Sequence, residues 1–396
     1  MSSGSVLIAA LAGRGLAASA RRAGYEPLVA DAFGDSDTAE YAAHALCVKD
    51  AARIGFRTKQ TLSALSELSQ RATSPPVGLV LGSGFEDRPK LIEVLARRYR
   101  ILGNDAATIA RCKDPLTLAA LLDRLSIKHP ETQLRVPDNP AGWLSKRVGG
   151  SGGTHVASAE AEQGARRYYQ RYLDGTPHSV LAVASAGRVQ MIGISLQWSV
   201  GSGPRPYRYG GAVGPVEVAA DVAASMRSAA EKLCAELRLA GLVSFDFLIA
   251  GETAYLLEIN PRPGATLDMF DDERGSLFRA HVAAAMGETP QVSVAPDVRA
   301  AAILYADQGP LDIGPEPLPD WTADRPAPGT HIPRYRPIAT VYGAGESPDA
   351  ALGSCRQRLD ELGQMLYGQP RNRERNDNAE IQRPGPKRLF ARSQAR

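Results

Sequence analysis

Several features are scarce in this chain of 396 residues, and each shortage removes a class of function. Its four cysteines, Cys47, Cys112, Cys234 and Cys355, lie far apart with no C-x-x-C spacing. That excludes a zinc knuckle and a disulfide framework and suits a reducing cytoplasm. The six histidines form no H-x-x-x-H pair, which argues against a zinc hydrolase. No run of about 18 apolar residues occurs, so no transmembrane helix is expected. The start, "MSSGSVLIAALA", has no basic segment and reads as a first strand rather than a signal peptide. Net charge is small at +3 and unevenly placed. The segment Gln369–Arg396 has eight Lys/Arg against three Asp/Glu, a net +5, which leaves −2 on the rest. The body is therefore not a nucleic-acid binder, and 369–396 reads as a basic, disordered tail.

What is present is ordinary for a soluble globular protein of two or three domains, 44% hydrophobic and 22% charged. The first hundred residues alternate strand-like and helix-like runs. "SVLIAAL", "YEPLVADAF" and "PVGLVLGSG" read as strands, and "GRGLAASARRAG" and Pro89–Arg100 as helices. Such alternation implies βαβ units and a parallel sheet. "AGRGLAASA" has Gly13 and Gly15 but Ala18 where a dinucleotide fingerprint has its third glycine, so it reads as a tight strand-to-helix turn. Asp31, Asp35 and Asp37 follow the second strand, where carboxylates face a ligand crevice or simply solvate a loop. Further on, Asp114 caps a helix with Pro115 at its first position, and Val216–Leu239 is a long amphipathic helix. "GLVSFDFLIAGETAYLLEIN" is a hairpin turning at Gly251-Glu252, "IATVYGAGES" is a strand, and Pro348–Tyr367 is a last helix capped by Ser347.

Two stretches carry chemistry. Lys146 ends a strand and is followed by Gly149, Gly150, Ser151, Gly152 and Gly153, a loop whose backbone N–H groups can turn toward phosphates. The lysine precedes the glycines, so this is not a Walker A motif. In "LLEINPRPG", Glu258 and Asn260 are two apart and share a strand face. Asp246 lies on the partner strand. A three-residue loop register sets it opposite Glu258, and a two-residue loop offsets it by one. Two carboxylates and an amide carbonyl make a Mg²⁺ site once phosphates complete the octahedron. The cation removes the repulsion that Asp246 and Glu258 would otherwise suffer.

These motifs resemble the ATP-grasp superfamily, within it the predicted ATP-dependent carboligases related to biotin carboxylase. The resemblance runs over roughly Val6 to Leu366. It implies an α/β protein, α+β in the grasp, with a Rossmann-like pre-grasp domain at 1–103. The ATP-grasp domain follows at 104–288, its flap part at 104–175 and its metal-bearing lobe at 176–288, and a C-terminal lobe occupies 289–368. "ILGN…CKDP" implies a phosphate contact for Lys113, and "LSKRVGGSGG" the grasp lysine Lys146 and its flap. "YYQRYLDGTPHSV" looks like the adenine hinge at Gln170, Arg171 and Tyr172, with Asp174 near the ribose. Arg171 stands where the family usually has an acidic residue, and Arg147 where a proline often follows the lysine. "FDFLI…LLEINPRPG" implies the metal residues Asp246, Glu258 and Asn260.

The implied cofactors are ATP and Mg²⁺, with Mn²⁺ as a substitute. The implied reaction is ligation of a small carboxylate to an amine or thiol through an acyl phosphate, giving ADP and phosphate. Arg262 and Lys146 would act on the reacting groups. By analogy the pathway is biosynthesis of a one-carbon carrier coenzyme of the tetrahydromethanopterin or methanofuran type. Asp31, Asp35, Phe85 and Glu86 are candidates for the substrate pocket. The alternatives are a small-molecule kinase or carboxylase on the same fold, or a non-catalytic nucleotide-binding protein. No nucleic acid or membrane partner is expected, and a homo-oligomer is allowed.

Overall fold

The computed structural model describes residues 4–164, 166–202 and 205–368. The basic tail expected at 369–396 lies outside the described residues.

The first strand, β1 (Ser5–Ala10), is buried along its whole length. A strand with both faces apolar needs helices on both sides, the condition of a parallel sheet. Such a sheet forms with β2 (Glu26–Asp31), β3 (His44–Cys47) and β4 (Leu79–Leu81), all parallel in the order β3-β2-β1-β4. The chain changes direction between β1 and β4, so the loops after these two strands open a crevice at their C-terminal ends. Helix Arg14–Arg22 starts there, as the "GRG" turn suggests. The helix expected over Pro89–Arg100 ends at Ala96. Strand β3 and helix Thr58–Arg71 were not legible, since β3 is a short edge strand with no clear alternation.

A small antiparallel sheet follows: β5 (Thr132–Gln133), β6 (Trp143–Arg147), β7 (Val156–Ser158) and β8 (Arg167–Arg171), ordered β5-β8-β6-β7. It leans on helix Pro115–Arg124, whose first turn is closed by the Asp114 carboxylate accepting from Thr117 N–H at 2.7 Å.

The largest sheet has eight strands. In chain order they are β9 (Thr176–Ser185), β10 (Arg188–Ser199), β11 (Tyr209–Gly214), β12 (Gly241–Ala250), β13 (Thr253–Asn260) and β14 (Val298–Tyr305). A two-stranded pair, β15 (Leu311–Asp312) and β17 (His331–Ile332), brackets β16 (Thr322–Ala323), and β18 (Pro337–Gly345) comes last. The sheet order is β13-β12-β9-β10-β11-β14-β18-β16, so the strands of 289–368 extend the same sheet that carries the 176–288 hairpins. Alternate residues of β9 serve two cores. Val180, Ala182 and Ala184 pack with Phe245 and Phe247 against the helix expected from Val216, which begins at Ala220 and ends at Leu237. Leu181 and Val183 face the other way, toward helix Ser276–Ala285 and the parallel domain. That second face also carries the polar residues described next.

Candidate active site

Strands β12 and β13 are joined by the two-residue turn Gly251-Glu252, which by itself would offset Asp246 from Glu258. A β-bulge between Asp246 and Phe247 restores the pairing: Phe247 lies opposite Leu256, but Asp246 lies opposite Glu258. The extra residue, Leu257, also reverses the side-chain phase of β13. Before it, Ala254 and Leu256 point into the core. After it, Ile259 does, and Glu258 and Asn260 turn outward to the cleft.

There Asp246 accepts from the Ser179 hydroxyl at 2.6 Å, and the Asn260 amide donates to Asp246 at 2.8 Å and to Glu258 at 3.1 Å. The buried Lys113 donates to the Asn260 carbonyl at 2.8 Å and lies 3.8 Å from Glu258. Burial and the neighbouring Glu258 push the Asp246 carboxyl up. Burial opposes ionisation of Glu258 too, but Lys113 and Lys146 hold it well below the usual carboxylate range. The lysines thus keep Glu258 ionised, while at Asp246 burial and Glu258 outweigh Lys113. Among the described residues no group of three or more His, Cys, Asp or Glu is placed to hold a metal ion. The donor set fits a divalent cation only if phosphate and water oxygens complete it, as Mg²⁺ prefers. The Asn260 amide must then turn its oxygen inward.

Facing this hairpin is the small sheet. Lys146 reaches Gln170 Oε1 at 2.6 Å, and burial lowers its pKa against the pull of Glu258 and Asp246. The glycine loop is folded down over the cleft. Gly152 C=O accepts from Tyr209 N–H at 3.0 Å. Gly153 sits at φ +69° so close to Tyr207 that a Cβ would lie 1.8 Å from its carbonyl oxygen, and a Cβ on Gly149 would strike Asp87 of the parallel domain. Only glycine tolerates both demands. Gly149 and Gly150 line a narrow cleft with Lys113, Tyr168, Gln170 and Glu258, while Ser151 and Gly152 line a wider one. His155, which sequence reading passed over, packs its ring against Gly150; burial lowers its pKa to about 4, and its Nδ1 has no hydrogen-bond partner.

At the expected hinge, several groups already have protein partners. Gln170 contributes its side chain to Lys146. The N–H groups of Arg171 and Tyr172 donate to the Glu131 and Gly142 carbonyls at 2.8 and 2.9 Å. Arg171 stacks over Trp143 at 5.6 Å, and Asp174 is exposed.

Arg262 leaves the hairpin toward the parallel domain, where Glu86 accepts from its Nε at 2.7 Å. Glu86 is 5% exposed and is itself oriented by the N–H groups of Gly84 and Phe85. Glu86 thus aims Arg262 and is not a free substrate contact. Phe85 is a core residue stacked on Phe56. Asp31 accepts from Gly34 N–H and the Thr38 hydroxyl, closing its own loop, and Asp35 lies buried behind Asp324. Neither lines the cleft. The wider cavity, about 310 Å³, runs from Asp246 and Glu258 past Arg262 to Arg14, Asp268, Asp324 and Tyr342. Those last four come from segments far apart in sequence, and no local motif marks them.

An ATP-grasp domain family matches residues 112–266, which hold Lys113, the glycine loop, Gln170–Asp174 and the whole β12–β13 hairpin. Residues 112–266 form an ATP-grasp domain. Solved ATP-grasp structures agree on the fold. Biotin carboxylase from Campylobacter jejuni, in a β,γ-ATP complex, superposes with TM-score 0.69 at 16% identity over 90% of this chain and 91% of that one. N5-carboxyaminoimidazole synthetase from Staphylococcus aureus, complexed with ADP, gives 0.66 at 15% over 90% and 97%. Among curated relatives, the carbamoyl phosphate synthase large chain of Myxococcus xanthus is 25% identical over 280 residues, 64% of this chain. The chain spans about a quarter of that relative's length.

Proposed function

We propose that the protein is an ATP-dependent, ADP-forming ligase that joins a small carboxylate to an amine through an acyl phosphate. The observation that carries the reading is Arg262. Glu86 holds it beside the Asp246/Glu258/Asn260 face, where the nucleotide cleft opens into the larger cavity. A fixed guanidinium at that junction suits an acyl phosphate and the tetrahedral adduct that follows.

A carboxylate oxygen of the substrate attacks the γ-phosphorus, the bond to the β-phosphate oxygen breaks, and ADP leaves. The amine nitrogen then attacks the acyl carbon, phosphate departs, and the nitrogen loses its proton. Lys113 and Lys146 offset the triphosphate charge, and the folded glycine loop keeps water from the acyl phosphate. Mg²⁺ or Mn²⁺, held by Asp246, Glu258 and Asn260, supplies neutralisation of the phosphate oxygens. No residue of the cleft points to a one-carbon carrier coenzyme, so the reading stops at the carboxylate–amine class.

ADP and phosphate release, measured over a panel of carboxylates and amines, should require both, and Glu258→Gln should lower it by about 100-fold or more. A stable phosphorylated product without amine would make the protein a kinase. Turnover with bicarbonate as the carboxylate would make it a carboxylase. ATP binding without turnover on any pair would leave a nucleotide-binding protein.

A further inference from the structure

We propose that the Ser244 hydroxyl is a further catalytic group, which donates a hydrogen bond to the acyl oxygen of the phosphorylated substrate beside Arg262. This role rests on the ligase reading, while the notch that Ser244 lines is a feature of the fold.

Ser244 stands on β12 two residues before Asp246. Val243, Phe245 and Phe247 turn into the core, so Ser244 and Asp246 share the opposite face, toward the cleft. Ser244 lies across from Asn260 on β13. It is 6% exposed and lines the wide cavity together with Asp246, Glu258 and Arg262. Among the described residues its hydroxyl bonds to no protein group, and its oxygen is not one of the fully enclosed unpartnered atoms, so it opens on the cavity. Buried hydroxyls in folded proteins are nearly always paired, and one left open on a cavity is supplied by what binds there.

Gly264 is a second, independent observation. A Cβ built on it would lie 3.0 Å from Arg262 Nη1 and 3.8 Å from Ser244 Oγ, and beyond the flanking residues no other described atom comes within 4 Å. The missing side chain leaves a notch between two hydrogen-bond donors. Arg262 is fixed there, since its Nε donates to Glu86 at 2.7 Å and its Nη1 to the Pro263 carbonyl at 3.3 Å. An oxygen in the notch, drawn slightly toward Ser244, accepts from both. When the amine nitrogen attacks the acyl carbon, the C=O π pair moves onto this oxygen, and two preset donors meet the charge as it forms. Collapse of the adduct returns the pair and breaks the bond to phosphate, which carries off the nitrogen's proton. Ser244 keeps its own proton throughout.

NMR titration of the full chain loaded with MgADP tests this with two phosphonates, buffered so that both are dianions. Acetylphosphonate carries the acyl oxygen on a bond that does not hydrolyse, and ethylphosphonate has the same skeleton without that oxygen. The wild type should bind acetylphosphonate about tenfold tighter than ethylphosphonate. Ser244→Ala should cut that ratio about fivefold and leave the affinities for MgADP and ethylphosphonate within about twofold. Ser244→Thr keeps the hydroxyl and should keep the ratio. Thr266 is the control: it is 5% exposed, makes no cap bond, and lines the same cavity outside the notch. Thr266→Val should leave the ratio within about twofold. No preference in the wild type, an unchanged ratio in Ser244→Ala, equal losses for both phosphonates, or the same loss in Thr266→Val would overturn the assignment and leave the ligase reading standing. Failure of both phosphonates to bind the MgADP-loaded wild type sinks the ligase reading, and the role of Ser244 with it.

Discussion

The two ends of the cavity hold their charges by different means. At the near end, Asp246 and Glu258 are a cross-strand pair on one hairpin, and their spacing is set by backbone hydrogen bonds and a single bulged residue. At the far end, Arg14, Asp268 and Asp324 are brought together by the packing of the parallel domain against the large sheet, with Arg14 and Asp324 310 positions apart in the chain. A ladder places groups to a fraction of an ångström, which suits a reacting centre. A junction between segments is free to vary with whatever it must recognise. The contrast shows again in the lysines: two serve the near end and none lines the far one.

Arg262→Lys tests the link between the ends. Lysine cannot keep the Glu86 contact and reach the reacting group at once, so kcat should fall about 100-fold. Glu86→Gln should fall by about tenfold, with the KM for ATP within about twofold of wild type. Steady-state phosphate release reads both. Equal losses of ATP affinity in the two variants would put Arg262 in nucleotide binding rather than at the acyl group.

Asp35→Asn probes the far end through pH. In the folded chain this carboxyl sits at about 8 against an ordinary 3.8. Between those values the folded state binds more protons than the unfolded one, so stability falls as pH rises through that window. Melting temperatures of the wild type should fall by a few degrees between pH about 6.5 and about 8.5. Asp35→Asn should flatten that decline, and an unchanged slope would remove Asp35 as its cause. The smallest effect belongs to Asp174→Ala. Asp174 is exposed, and its loss should leave the KM for ATP within about twofold. A tenfold rise would restore it to the ribose contact that its place in the hinge motif implied.

Much of the near end was legible because it is local. Glu258 and Asn260 are two apart on one strand, and the Lys146 loop announces itself by glycine spacing. The offset between Asp246 and Glu258 was not, because bulge and regular ladder share the same residues until the core selects which side Ile259 must fill. Gln170 and Glu86 were noticed as residues, but their work is side-chain support: one holds Lys146, the other Arg262. Phe85 followed its hydrophobicity into the core instead of the pocket.

By itself the sequence determined the alternating elements of the first hundred residues other than β3 and helix Thr58–Arg71, the hairpins, the caps at Asp114 and Ser347, and the grasp motifs from Lys113 to Arg262. These depend on periodicity, turn chemistry and side chains a few residues apart. Tertiary structure alone decided the phase of β13, the pairing of Arg262 with Glu86, and the charged far end of the cavity. Each of these is a contact between segments distant along the chain, and its energy exists only once both are packed into place.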